Sequence, residues 1–61
     1  MPNKLLKKDT RSRIIKAATK LFAEKGYQQT TIAEIAKMVS LAEGSIYEHF
    51  RGKEEILLTI P

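Results

Sequence analysis

Glu43, Gly44, Ser45, Tyr47, Glu48 and His49 crowd into seven positions, with Lys53 four residues further on and Thr31 twelve residues before. Hydroxyls, an imidazole and an ammonium donate hydrogen bonds, and carboxylates accept them. This set does not make a catalyst, because a lone His offers no nucleophile–base–acid constellation. It cannot hold a metal either: one His is too few, and the absence of Cys removes both a thiolate zinc site and a disulfide framework. The chemistry left is binding. Phenol, imidazole and ammonium groups suit phosphate oxygens, and a carboxylate can accept from the exocyclic amine of cytosine. No cofactor is called for.

The elements that would position these groups lie in residues 31–50. Thr31 stands three residues before Glu34, a capping box in which hydroxyl and carboxylate satisfy backbone donors reciprocally. Ile32, Ile35, Ala36 and Val39 follow at i, i+3, i+4 and i+7, one apolar stripe on one helix face. After a break at residues 39–42, Ile46 and Phe50 form an i, i+4 pair. Small Ala36 lies where a second helix must cross closely. Two short helices, Thr31 to Val39 and about Glu43 to Phe50, joined by a tight corner, make a helix-turn-helix. Its second helix is the one that enters a DNA major groove.

The rest of the chain supports that unit. Sixty-one residues make one small domain, burying only about 60% of the surface of the unfolded chain. No apolar run approaches the roughly 18 residues of a membrane span, and the N-terminus lacks the apolar stretch of a signal peptide. A soluble, cytoplasmic protein with no membrane partner is expected. The formal charge of +4 is unevenly placed: residues 1–13 carry five Lys/Arg against one Asp, and residues 14–61 carry six against six. Residues 1–9 read as a flexible basic arm, either a solvated tail or a phosphate-contacting segment to which Lys4, Lys7, Lys8 and Arg11 contribute.

Asp9 or Thr10 can cap a first helix running to about Lys25. Ile14, Ala17, Ala18, Leu21 and Phe22, with Ile15 at the edge, cover one face, and Ser12, Lys16, Thr19 and Lys20 the other. Such a basic amphipathic helix can also lie on a membrane surface, but core for the next two helices explains it better. Gly26 is the stop signal. A fourth helix opens at Lys53-Glu54-Glu55, with two carboxylates at its positive end. Ile56, Leu57, Leu58 and Ile60 crowd its last turns on more than one face, as in a helix that continues into further structure.

Gly26-Tyr27, Thr30-Thr31-Ile32, Ile35-Ala36, Glu43-Gly44-Ser45-Ile46-Tyr47, His49-Phe50 and Lys53-Glu54, all in register from about Ser12 to Leu58, resemble the TetR (tetracycline-repressor-like) family of bacterial transcription regulators. The resemblance implies an all-α fold: a three-helix, homeodomain-like helix-turn-helix domain over residues 10–61, its motif at 31–50, plus the start of a fourth helix. It implies a repressor that binds a palindromic operator in double-stranded DNA as a homodimer, released by a small-molecule effector on a C-terminal domain absent from this chain. Three positions depart from the family pattern. Ser40 occupies a corner usually given to Gly, Ala42 a cap usually given to Ser, and Gly52 a cap usually given to Ser or Asn.

On this reading the DNA-binding set is Thr31, Ala42, Glu43, Gly44, Ser45, Tyr47, Glu48, His49 and Lys53. Gly44 lets the backbone approach bases or phosphates closely, or is a defect tolerated at a surface. Tyr47 and His49 donate to phosphates, or are half-buried and surface residues without that role. Lys53 grips a phosphate with its charge and the helix N-terminus, and Thr31 does the same or only caps. Glu43 and Glu48 either accept from cytosine or rotate outward, and Ser45 discriminates poorly. The rival from another class is a helical protein-interaction module, with 56–60 as a docking helix and no DNA role.

Overall fold

The computed structural model describes the backbone of residues 2–60 and the side chains of residues 10–60. Four helices follow in order: α1 (Pro2–Lys25), α2 (Ile32–Met38), α3 (Glu43–His49) and α4 (Lys53–Thr59). The described residues contain no strand, as expected of an all-α domain. α1 packs against both α2 and α4, and α2 packs against α3.

The first helix starts at Pro2, well before the expected cap at Asp9 or Thr10. Pro2 sits at the first helical position, where its missing N–H leaves no bond unmade. Lys4, Leu5, Leu6, Lys7 and Lys8 are good helix formers, and no breaker follows them before Gly26. Propensity alone carries a helix here, and a search for an apolar stripe passes over it. The side chains of Lys4, Lys7, Lys8 and Asp9 lie outside the described residues, so their part in a basic arm is not addressed by the structure.

From residue 10 on, the apolar stripes meet as one core. Ile14, Ala17, Ala18 and Leu21 of α1 pack with Ile32, Ile35 and Ala36 of α2, then Val39, Ile46 and Phe50, and Ile56 of α4. Ile15, Phe22 and Leu41 close its edges. Ile14, Ile35, Ile46 and Ile56 are fully excluded from solvent, each stabilising the fold by about 1.5–3 kcal/mol. Ser12, Lys16, Thr19 and Lys20 hold the exposed side of α1. Gly26 ends it at φ 92°, a conformation that costs glycine no Cβ clash, and donates its N–H to the Phe22 carbonyl at 2.9 Å.

The corner between α2 and α3 is a Schellman motif. Leu41 N–H reaches back to the Ala36 carbonyl at 2.8 Å, and Ser40 N–H to the Lys37 carbonyl at 3.1 Å. The geometry requires a left-handed residue at position 40, and Ser40 takes φ 60°. This places a non-glycine residue where the strain is about 1–2 kcal/mol. Arg13 crosses from α1 to donate to the Val39 carbonyl at 3.2 Å, satisfying an end-of-helix acceptor beside that corner.

Helix starts differ in how they are capped. Thr31 and Glu34 form the full capping box: Glu34 N–H donates to Thr31 Oγ1 at 3.2 Å, and Thr31 N–H to Glu34 Oε1 at 3.1 Å. Ala42 precedes α3 with no side-chain cap. Gly52 offers none to α4 either, but Glu55 reaches back to accept the Arg51 N–H at 2.6 Å.

Candidate nucleic-acid interface

α3 sorts its residues cleanly. Ile46 and Phe50 point into the core, while Ala42, Glu43, Gly44, Tyr47 and Glu48 are exposed and Ser45 and His49 are half-buried. These seven residues therefore present one largely polar face on a helix seated by two apolar anchors. Tyr47 leaves 52% of its surface in solvent, which excludes the half-buried core role open to it on sequence alone. A Cβ built on Gly44 would meet no atom of the domain within 4 Å. The fold thus has no steric need of glycine there, although glycine inside a helix costs about 0.5–1 kcal/mol against alanine.

Both signs of charge border this face. Glu43 lies at the N-terminal end of α3, where the helix dipole favours an acid. At the opposite end the Arg11 guanidinium stacks over the Phe50 ring at 4.7 Å. Exposed Arg51 follows directly. His49 lies at the same end, its ring centroid 6.4 Å from that of Phe50. Arg11 and Arg51 lie where α3 ends, beside the exposed carboxylate of Glu48, and Glu43 lies where it begins. Arg11, expected to act with an arm, is thus placed beside the last turn of α3.

Thr31 is exposed at the start of α2, but its Oγ1 already accepts from Glu34. Glu34 also pairs with Lys25 of α1. The Lys25 hydrogen bond, then the Thr31 N–H, holds the Glu34 carboxyl below the ordinary carboxylate value. This tie between α1 and the α2 capping box had no sequence signal beyond the box itself.

Lys53 makes contacts that the sequence does not signal. Its ammonium turns inward, donating to the Tyr27 carbonyl at 2.6 Å and the Thr30 carbonyl at 2.7 Å, with the Gln28 carbonyl at 3.4 Å. It also sits 4.4 Å from the centre of the Tyr27 ring. Burial, then nearby Glu54, raises the Tyr27 phenol above its ordinary value. Thr30 is fully buried and donates its hydroxyl to the Gly26 carbonyl at 2.8 Å. Neither contact was read from the sequence. The only hint was a second Thr directly before the capping box.

Among the described residues no three His, Asp or Glu side chains converge to hold a metal. None of the described helices is long and apolar enough to cross a membrane.

Comparison with known proteins agrees with this geometry. The family model described as bacterial regulatory proteins, tetR family, matches residues 14–60. The chain is 48% identical over 52 residues to the HTH-type transcriptional regulator HbdR of Aromatoleum sp. strain CIB, covering 85% of this chain and 23% of that protein. It is 45% identical over 47 residues to the fatty acid metabolism regulator protein of Bacillus subtilis, covering 77% and 24%. To the HTH-type transcriptional regulator TtgR of Pseudomonas putida it is 41% identical over 49 residues, covering 80% and 23%. The chain thus spans less than a quarter of the length of these relatives. No solved structure matches it at a significant level. With a helix-turn-helix that opens on a capping box and turns through a Schellman corner, and a family match running through all of it, the chain belongs to the tetR family of bacterial regulatory proteins as its helix-turn-helix DNA-binding domain.

Proposed function

We propose that this domain lays α3 in the major groove of a palindromic operator, as the reading head of a homodimeric repressor whose missing part binds a small-molecule effector. The observation that carries the reading is the division of α3. Ile46 and Phe50 anchor it, and Ala42, Glu43, Gly44, Tyr47 and Glu48 are presented outward. Tyr47 and His49 donate to phosphates, Gly44 admits the close approach, and Ser45 and Glu43 meet base edges. Glu48 borders that face. Thr31 meets the flanking backbone at the α2 start. Phosphate contacts fix the register and carry no sequence information. Two-fold operator symmetry calls for a dimer, and Leu57 and Leu58, exposed on α4, suit protein contacts away from the DNA face.

Two substitutions test the reading. Tyr47→Phe keeps the ring and deletes only the hydroxyl, so it weakens selected and random duplexes by a similar factor and leaves the melting temperature in place. Glu43→Gln removes a charge that opposes DNA, so random-duplex affinity rises. If Glu43 accepts from a cytosine, a site selected from a random pool gains less, because one good base contact is worth about 1–3 kcal/mol of discrimination. No change in DNA affinity from either substitution would remove α3 from the groove.

A further inference from the structure

Two arginines of α1 stand two residues apart and have different partners. Arg13 donates to the Val39 carbonyl, at the corner before α3. Arg11 lays its guanidinium over the Phe50 ring, 4.7 Å from the ring centre, inside the roughly 6 Å reach of a cation–π contact. Phe50 is 2% exposed and belongs to the core, so the platform under Arg11 is fixed to the end of α3. The contact uses the π face of the ring and none of the five N–H donors that a guanidinium carries. Among the described residues the ion pairs join Lys20 to Glu24 and Lys25 to Glu34. Glu48, exposed on the last turn of α3, is not a partner of Arg11. An exposed arginine is thus held in place by an aromatic ring, with its fork open to an acceptor from outside the chain.

We propose that Arg11 is a phosphate ligand of duplex DNA, held by Phe50 at the end of α3 so that its fork meets a backbone oxygen there. A guanidinium matches a phosphate bidentately and can stack on an aromatic ring at the same time. Holding a long side chain in place before binding reduces the entropy lost on binding. The contact comes from α1 and sets where the end of α3 sits along the duplex, without reading sequence. This inference rests on α3 meeting DNA, so the wild type and Tyr47→Phe are measured alongside. No salt-dependent binding by the wild type would overturn both readings together. A loss in Tyr47→Phe with no effect at Arg11 would overturn this one alone.

The test compares Arg11→Met and Arg11→Lys with the wild type, at a temperature where melts show each protein folded. Affinity for a random duplex and for a site selected from a random pool is followed across a salt series. Methionine keeps an unbranched apolar stem against Phe50 and removes the charge. A phosphate ligand releases counterions, so its removal flattens the slope of log affinity against log salt by about 0.9. The result expected for Arg11→Met is that flattening, with both duplexes weakened by a similar factor. Arg11→Lys keeps the charge and so keeps the slope, yet it binds more weakly than the wild type, because an ammonium has no planar fork. An unchanged slope in Arg11→Met would overturn the proposal whatever the affinity does: weaker binding at constant slope makes Arg11 only a cover for Phe50. Wild-type affinity in Arg11→Lys would overturn it as well, since the stacked fork would then contribute nothing.

A second measurement separates a direct contact from the general field of a positive charge. Phosphates of the selected duplex are replaced one at a time by neutral methylphosphonates. If Arg11 holds one phosphate, a single position in each half-site weakens the wild type by about tenfold, the loss of one hydrogen bond to a charged group, and leaves Arg11→Met almost unaffected. A scan in which wild type and variant lose equally at every position would overturn the proposal. If Arg11→Met does not fold, the wild type alone decides: in the isotopically labelled chain the Arg11 side-chain Nε–H signal shifts when duplex is added at low salt, and a signal that stays in place rejects the contact.

Discussion

Replacing Ser40 by Gly should make the domain more stable, although glycine is the residue with most freedom to lose on folding. Ser40 holds φ 60° because the Schellman corner needs a left-handed residue there. For an L-residue with a Cβ this costs about 1–2 kcal/mol, and glycine removes that strain. Against this, glycine widens the unfolded ensemble by about 0.4–1 kcal/mol. The two hydrogen bonds of the corner, Leu41 N–H to Ala36 and Ser40 N–H to Lys37, are backbone bonds and survive the change. Ser40 is exposed, so little packing is lost with its hydroxymethyl group. The net gain is about 0.5–1 kcal/mol, which for a domain of this size raises the melting temperature by about 2–8 °C. Thermal melts followed by circular dichroism read this directly. A Ser40→Gly variant that melts at or below the wild-type temperature would mean that position 40 stores no strain and the corner follows another path.

Gly44→Ala should separate stability from function. Nothing lies within 4 Å of the added methyl, so melts should show a gain of about 0.5–1 kcal/mol, while on the proposed docking the methyl would stand between helix and duplex and weaken binding; unchanged binding would make Gly44 a tolerated surface glycine. Glu34→Gln should change the acid side of the stability profile. Folding lowers the Glu34 carboxyl below its ordinary value of 4.5, first through Lys25 and then through Thr31. Its contribution is therefore fully present above that value and lost as pH falls through the lowered one. The wild type should melt above Glu34→Gln at neutral pH, and the two should converge in acid below 4.5; parallel profiles would show that the ion pair with Lys25 adds nothing.

The parts of this domain that local rules govern were legible in the sequence. The Thr31–Glu34 box, the Gly26 stop, the left-handed corner at Ser40 and the uncapped Ala42 each depend on residues within four positions of one another. So do the apolar stripes that became the core. The start of α1 was missed because residues 2–9 form helix by propensity with no apolar periodicity to mark it. The long-range polar ties were missed for a different reason. Arg13 to the Val39 carbonyl and Lys53 to the Tyr27 carbonyl each span 26 residues, and a carbonyl acceptor exists at every position, so no pattern of residue types points to the partner. For the same reason nothing in the sequence marked the carbonyl partners of Lys53. Of the candidate interface, the exposure of Tyr47 and of the Glu43 side followed from the i, i+4 spacing of Ile46 and Phe50. The cationic end built by Arg11 on Phe50 did not.

The central claim, that the exposed side of α3 meets DNA, is tested most directly by titrating duplex DNA at low salt into the isotopically labelled chain and following every backbone amide by NMR. The predicted result is that the amides of Thr31 and of residues 42–49 shift most, that those of Lys16, Thr19 and Lys20 on the far side of α1 stay in place, and that the shifts fade as salt rises. Shifts confined to Leu57, Leu58 and Ile60, with α3 silent, would contradict the claim and make the domain a protein-docking module.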